Sequence, residues 1–396
     1  MLGTVNTVHK MSVAITLVVA TAILVIYAVR KYYARNGDFW KKRGVYEIDA
    51  DGIAPVWKRL TQLVPFADFD HAVYKALGDE KYGGFVELGN PVLYIKDLDL
   101  LKRIFVKDFE HFVDRRIIDL DKSDKIFGNM LTNKTGREWK DLRAAMSPAF
   151  TTGKIKKMFQ FFNACGHQMA TYLKESGKEE IDFQDAFGRY TLGAIASIAF
   201  GLEADTFRAE DTAFRKMAKR MQTFTPIRFA KLIFFILLPK LAKLLRLAIS
   251  EPVSIKFFSS LLEHTMNERR ETGQKRQDFL QLMLDAQAGQ LKMDEKEVLD
   301  TYEKDAQLKD TGNSKKDSAA VFDDDTILSQ AILFFFAGSD TLESLLTFAA
   351  YELAMHPDVQ EKLAEEVTPV MEENDGNISY EAVQDLEYLD MVVHGE

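Results

Sequence analysis

The chain has 396 residues, a net charge of −9 and one cysteine, Cys165. The acidic balance argues against nucleic acid as a main partner, and a lone cysteine excludes both an internal disulfide framework and a zinc cluster built on thiolates. With 47% hydrophobic residues the chain can build a large core, and no Pro/Gly/Ser-rich linker divides its body, so one large helical domain is expected.

Met11 to Val29 is an apolar run about long enough to cross a bilayer, with Lys10 before it and Arg30, Lys31 and Arg35 after it. The basic flank predicts an uncleaved anchor over residues 1–30, in the endoplasmic reticulum membrane, with the body from residue 31 to 396 in the cytosol. Tyr27, Tyr32, Tyr33 and Trp40 suit an interfacial belt. Phe85–Leu88 and Val92–Ile95, joined through Gly89-Asn90-Pro91, predict a β-hairpin. Asp97 opens a short helix, an irregular stretch runs from Arg115 to Thr135, and helices dominate from Trp139 onward. The segment from Phe224 to Leu247, with Lys231, Lys240, Lys243 and Arg246 around an apolar run, reads as an amphipathic surface element facing lipid. The tract from Gln287 to Asp324 is polar enough to be a solvated helix and loop.

The most informative stretch follows. Asp323-Asp324-Asp325 sets negative charge at a helix start, apolar residues run from Ile327 to Leu353, and His356-Pro357 closes the segment. About 30 residues make a rod of about 45 Å, long enough to cross a domain. Inside it lies Phe334-Phe335-Phe336-Ala337-Gly338-Ser339-Asp340-Thr341. Leu333, Ala337 and Thr341 share a face, Phe336 and Asp340 lie beside it, and Ala337 and Gly338 remove bulk. The Thr341 hydroxyl can bond back to the Ala337 carbonyl. Such a patch suits a small ligand and proton handling, or else it is only a polar break in a core helix. A second block, Trp139-Lys140-Asp141-Leu142-Arg143, puts an indole and a guanidinium on one helix face, a clamp for an anion or a plain surface stack.

Ala337-Gly338-Ser339-Asp340-Thr341 resembles the oxygen-binding helix of cytochrome P450 monooxygenases, and Trp139-x-x-x-Arg143 followed by Ser147-Pro148-Ala149-Phe150-Thr151 resembles their haem-propionate helix. Asp108-Phe109-Glu110-His111-Phe112, Arg115-Arg116, Ala199-Phe200-Gly201, Asp278-Phe279-Leu280 and Gln360-Glu361-Lys362-Leu363 match in the same order. The likeness is to the microsomal class, especially arthropod detoxification-type members. It implies a mainly α fold with a small β region, the cytochrome P450 fold, behind an N-terminal transmembrane helix. It also implies haem b and electrons from NADPH-cytochrome P450 reductase. Asp340 and Thr341 would relay protons to oxygen, Ala337 and Gly338 would leave room for it, and Arg115, Trp139 and Arg143 would hold the propionates. A small lipophilic substrate would meet Leu333, Phe336, Ile117, Ile118 and Phe127. Lys134, Arg137, Lys140, Lys154, Lys156 and Lys157 make a candidate basic surface for the reductase.

The family's Cys loop and Glu-x-x-Arg helix do not occur in the 396 residues, and Cys165 sits in Phe162-Asn163-Ala164-Cys165-Gly166, which matches no iron-binding loop. The expectation is therefore an incomplete P450 fold without its C-terminal haem-thiolate region, inactive as it stands. The alternative reading is a truncated, non-catalytic, membrane-anchored paralogue that holds no haem.

Overall fold

The computed structural model describes residues 23, 24, 27, 30–115, 124–177, 180–202, 206–207, 212–290 and 321–395. Most of the apolar run expected to anchor the chain, and most of the polar tract before the central helix, lie outside them. The chain divides into two compact units, one ending at Arg115 and the other beginning after it.

The first unit carries α1 (Ala50–Ile53), α2 (Val56–Leu60), α3 (Phe66–Ala76), β1 (Tyr82–Glu87), β2 (Asn90–Ile95) and α4 (Leu98–Lys102). The strands pair antiparallel, from Tyr82 opposite Ile95 to Glu87 opposite Asn90. The turn is therefore Leu88-Gly89, both at positive φ (50° and 74°), and not the Gly89-Asn90-Pro91 turn the sequence suggested. Two left-handed residues give the turn twist that matches a hairpin, and Leu88 accepts a conformation that leucine rarely adopts. Pro91 sits inside β2, opposite Val86. Trp40 does not project as part of a belt: its indole N–H donates to the Phe85 carbonyl at 2.8 Å, and a Cβ on Gly84 would fall 2.2 Å from its ring. Phe69 and Val73 of α3, with Leu77 just past its end, close a small core with Ile48 and Phe85. Asp97 caps α4 through the Leu100 N–H.

The second unit is helical throughout its described residues. It runs α5 (Lys125–Asn129), α6 (Gly136–Met146), α7 (Thr152–Glu175), α8 (Phe183–Ala199), α9 (Ala213–Gln222), α10 (Pro226–Leu237), α11 (Pro239–Leu244), α12 (Pro252–Thr272), α13 (Phe279–Gln287), α14 (Asp324–Met355), α15 (Pro357–Glu373), α16 (Tyr380–Gln384) and α17 (Glu387–His394). The 32-residue α14 is the axis. Asp323 caps it through the Thr326 N–H at 2.8 Å, and it ends at His356 before Pro357, as the sequence signals predict. It packs along α8 and touches α5, α12 and α13. By length and composition α14 is apolar enough to cross a membrane, yet Ile327, Leu328, Ala331, Ile332 and Phe335 are buried in the protein core.

Consecutive residues on a helix point about 100° apart, and the three phenylalanines at 334–336 use that to enter three neighbourhoods. Phe334 meets Phe279 at 4.3 Å and Phe150 at 5.2 Å between ring centroids. Phe335 is fully buried and joins Phe200, Phe214 and Phe258, whose rings lie 5.3–6.3 Å from it. Phe336 reaches Phe127. Burying Phe335 contributes about 3 kcal/mol by area alone.

Behind this core lies a buried charge pair. Arg269 of α12 donates from Nη1 and Nη2 to the two oxygens of Asp278, at 2.8 and 2.6 Å. Asp278 also caps α13 through the Gln281 N–H. Gly201, at φ +68°, lies so close that a Cβ there would come within 2.1 Å of the Arg269 Nη2. The Ala199-Phe200-Gly201 and Asp278-Phe279-Leu280 motifs thus meet at one ion pair.

Candidate active site on the central helix

The wall beside the central helix is pinned by a residue that the sequence alone does not single out. Gln330 lies in the apolar run of α14 and is fully buried. Its amide donates to the Asn129 carbonyl at 2.8 Å and its oxygen accepts from the Leu131 N–H at 2.9 Å. That clasp holds α5 against α14 and sets Phe127 against Phe336, with centroids 5.8 Å apart. Phe127, Phe336 and Leu333 are half-buried neighbours of the core. The structure brings these three candidate substrate contacts into one unit. Ile117 and Ile118 lie outside the described residues, and Arg115 is an exposed residue at the end of the first unit.

One turn on, the helix becomes polar on some faces and open on others. Ala337, Asp340 and Thr341 are exposed, whereas Ser339 is buried. The Thr341 hydroxyl donates to the Ala337 carbonyl, as expected from its position, and the helix continues unbroken. Ser339 donates to the Phe335 carbonyl and accepts from the Gln222 amide at 2.9 Å, which ties α9 to α14. Gly338 has a different role from its neighbour Ala337. A Cβ on Gly338 would meet Ile195 Cδ1 of α8 at 2.8 Å, so its small size serves close helix packing.

Asp340 lines a groove of about 370 Å³ between α8, α9 and α14, with Gln184, Lys219, Gln222 and Glu343. Glu343 accepts from the Gln184 amide at 3.3 Å. Burial raises the affinity of the Glu343 carboxyl for its proton above the usual carboxylate range, and the nearby charges of Asp340, Asp185 and Asp182 push the same way. Across the groove Asp185 is paired with Arg189 at 2.7 Å and with Arg215. These cations hold its carboxyl below the usual range against the opposing effect of burial.

Ala337, Thr341, Leu345 and Phe348 form one stripe, and Leu345 and Phe348 are 48% and 68% exposed. Trp139 and Arg143 lie one turn apart on α6, both half-buried. Arg143 donates to the Ser147 hydroxyl at 3.1 Å and forms no ion pair with a carboxylate among the described residues. An open apolar stripe with one hydroxyl, together with a half-buried guanidinium lacking a counter-charge, fits a flat apolar group with anionic edges, as haem is. Cys165 does not fit as a ligand for its iron. It is buried in α7, its Sγ is 3.4 Å from where a Cβ on Gly193 would lie, and burial pushes its thiol up to about 11.

The basic surface proposed for a reductase is partly neutralised within the protein. Lys134 pairs with Glu138, Arg137 with Asp141, and Lys156 with Glu381. The Phe224–Leu247 segment folds as α10 and α11, broken at Leu238-Pro239, with Phe224, Ile227, Leu241, Leu244 and Leu245 exposed.

Comparison with known proteins gives the same family from independent matches. The family model described as cytochrome P450 matches residues 79–394. Cytochrome P450 9e2 of Blattella germanica is 34% identical over 96% of this chain and 71% of its own length. Cytochrome P450 9c1 of Drosophila melanogaster is 29% identical over 96% and 72%. Cytochrome P450 6l1 of Blattella germanica is 29% identical over 94% and 69%. A match that spans most of the chain, and that includes the central helix with its Ala337–Thr341 turn, means that the chain belongs to the cytochrome P450 family.

Proposed function

We propose that this chain is the body of a haem-thiolate monooxygenase. It would insert one oxygen atom from O₂ into small lipophilic substrates, xenobiotics among them, with electrons drawn from NADPH through a flavoprotein reductase. The observation that carries this reading is the open stripe Ala337–Thr341–Leu345–Phe348 on a helix whose first turns, from Ile327 to Phe335, are packed in the core, in a chain of this family. Haem, when bound, supplies the iron that activates O₂.

The chain's own residues account for the rest. Ala337 leaves the stripe shallow. Thr341 directs its proton to the Ala337 carbonyl, so its oxygen is left to accept from a water. Asp340, facing the groove with Lys219 and Gln222, passes protons inward from solvent toward that water. Arg143, with Trp139 beside it, binds the anionic edges of the haem. Phe127, Phe336 and Leu333 wall the substrate and exclude water. Residues 1–30 anchor the protein in the endoplasmic reticulum membrane with the body in the cytosol. Alkaline carbonate extraction should leave the protein with the membranes, and release into the soluble fraction would overturn the anchor.

A second reading sets oxygen chemistry aside: Cys165, buried in α7 with its thiol pushed up to about 11, offers no thiolate to an iron. In it the chain is a non-catalytic membrane-anchored relative that holds no haem. A reduced carbon-monoxide difference spectrum, taken on a protein that extends these residues through the family's haem-thiolate loop and is supplied with haem, separates the two. A thiolate-type Soret band supports the monooxygenase, and its absence supports the second reading.

A further inference from the structure

A second cavity, of about 640 Å³, opens between α9, α10 and the start of α12, away from the stripe just described. Six cationic side chains line it against one carboxylate, Glu251. That carboxylate is already engaged, accepting from the Ser254 N–H at 2.6 Å and pairing with Arg220 at 2.9 Å. Arg215 is likewise engaged, with Asp185.

The cations that remain include a buried one. Arg228 is 8% exposed and lines the cavity. Its Nε donates to the Ile249 carbonyl at 3.2 Å, and its Nη1 to the Met221 and Thr223 carbonyls, each at 2.8 Å. Its Nη2 has no acceptor, and no carboxylate pairs with it, among the described residues. Lys219 and Lys231 line the same cavity without a carboxylate partner among the described residues, although the Lys231 ammonium donates to the Ala248 carbonyl at 3.0 Å. Buried charge is costly unless paired. Burial already pulls the Arg228 guanidinium below its ordinary range, and Glu251 and Asp124 oppose this only by their charge.

We propose that this cavity is a binding site for a phosphate group, carried by a soluble phosphoester or by a lipid headgroup, with Arg228 as its anchor and Lys219 and Lys231 as its flanks. A guanidinium presents a planar fork of donors to phosphate oxygens, and two ammonium groups beside it match a dianion. The site does not require haem, although Lys219 also lines the groove of Asp340, and the binding measurement reads it apart from turnover.

The test uses the full chain in neutral detergent at low ionic strength, titrated by calorimetry with three probes. These are inorganic phosphate, water-soluble dihexanoyl phosphatidic acid, and dihexanoyl phosphatidylcholine as the neutral-headgroup control. Saturable binding of either of the first two is expected, weakened about tenfold or more in Lys219→Gln/Lys231→Gln, since a charged hydrogen bond contributes about that much. Lys154→Gln, outside the cavity, should bind as the parent does. Phosphatidic acid binding without phosphate binding assigns the site to a lipid headgroup, and the reverse assigns it to a soluble phosphoester. Arg228→Met should abolish binding, but it also breaks three bonds to carbonyls, so the lysine variant is the deciding one. Absence of binding by both anions, equal binding by the phosphatidylcholine control, or unchanged binding in the lysine variant would overturn the proposal.

Discussion

Arg269 and Asp278 meet in a two-point contact that is almost sealed from solvent, with the side chains 5% and 0% exposed. Asp278 is also reached by Arg276, whose Nε lies 3.3 Å from its second oxygen, so loss of Arg269 weakens the buried pairing and falls short of the about 3–5 kcal/mol lost when a buried charge is left without any partner. Arg269→Met should still lower the thermal midpoint, because the two-point contact is lost and only the single Arg276 contact remains. Gly201→Ala should do the same in smaller measure, because its new Cβ drives into the guanidinium from a backbone at positive φ. Scanning calorimetry of both variants beside the parent checks this. Midpoints within about a degree of the parent would mean that the pair is dispensable.

Gln330→Ala removes both bonds between α14 and the 129–131 backbone. Leaving buried groups unsatisfied costs about 1–3 kcal/mol each. The expected result is local: faster amide exchange over 124–133, most of all at Leu131, with the middle of α8 unchanged. Exchange read by mass spectrometry decides, and unaltered protection at Leu131 would argue against the clasp.

Glu343 gives a pH signature. Its folded-state proton affinity is raised, so as pH climbs past the ordinary carboxylate range the unfolded chain releases this proton first. The folded state then loses stability until Glu343 itself ionises, and stays less stable above that. Glu343→Gln keeps an oxygen for the Gln184 amide and carries no charge. Its thermal midpoint should exceed that of the parent at about pH 7, and the two curves should merge below about pH 4. A parent more stable than the variant at neutral pH would reverse the assignment.

Thr341→Ala tests the proton path in haem-loaded, reductase-supplied preparations of a protein that extends these residues through the family's haem-thiolate loop. Without the hydroxyl the water beside Ala337 loses its acceptor and its fixed position, and general acid–base assistance of this kind contributes about 10²–10⁴ in rate. Product formed per NADPH consumed should fall, and peroxide should rise. Asp340→Asn should slow turnover while leaving haem binding intact. Unchanged coupling in Thr341→Ala would leave the hydroxyl as a helix residue only.

Local signals are legible in the sequence, and long-range partnerships are not. The ends of α14 follow from Asp323 and Pro357, each acting on its own turn, and the Thr341 back-bond follows from a four-residue spacing. The family and the helical class follow from motifs in order along the chain. The hairpin turn differs from expectation because Pro91 looks like a breaker, whereas it pairs opposite Val86 and Leu88 takes the left-handed turn position. Gln330 is hidden in an apolar run because its partners lie about 200 residues away. Trp40 looks interfacial because nothing near it in sequence announces Gly84.

The contact of Gly338 with Ile195 gives adjacent positions on α14 opposite tolerances. Position 337 faces outward, where an added methylene would change the floor of the stripe and leave the helices seated. Position 338 faces α8, where the same methylene meets the terminal Cδ1 of Ile195 and is seated only when that side chain moves aside. Reshaping of the stripe by design or by drift therefore has one freely turning dial, at Ala337, beside a position, Gly338, whose changes must carry Ile195 with them.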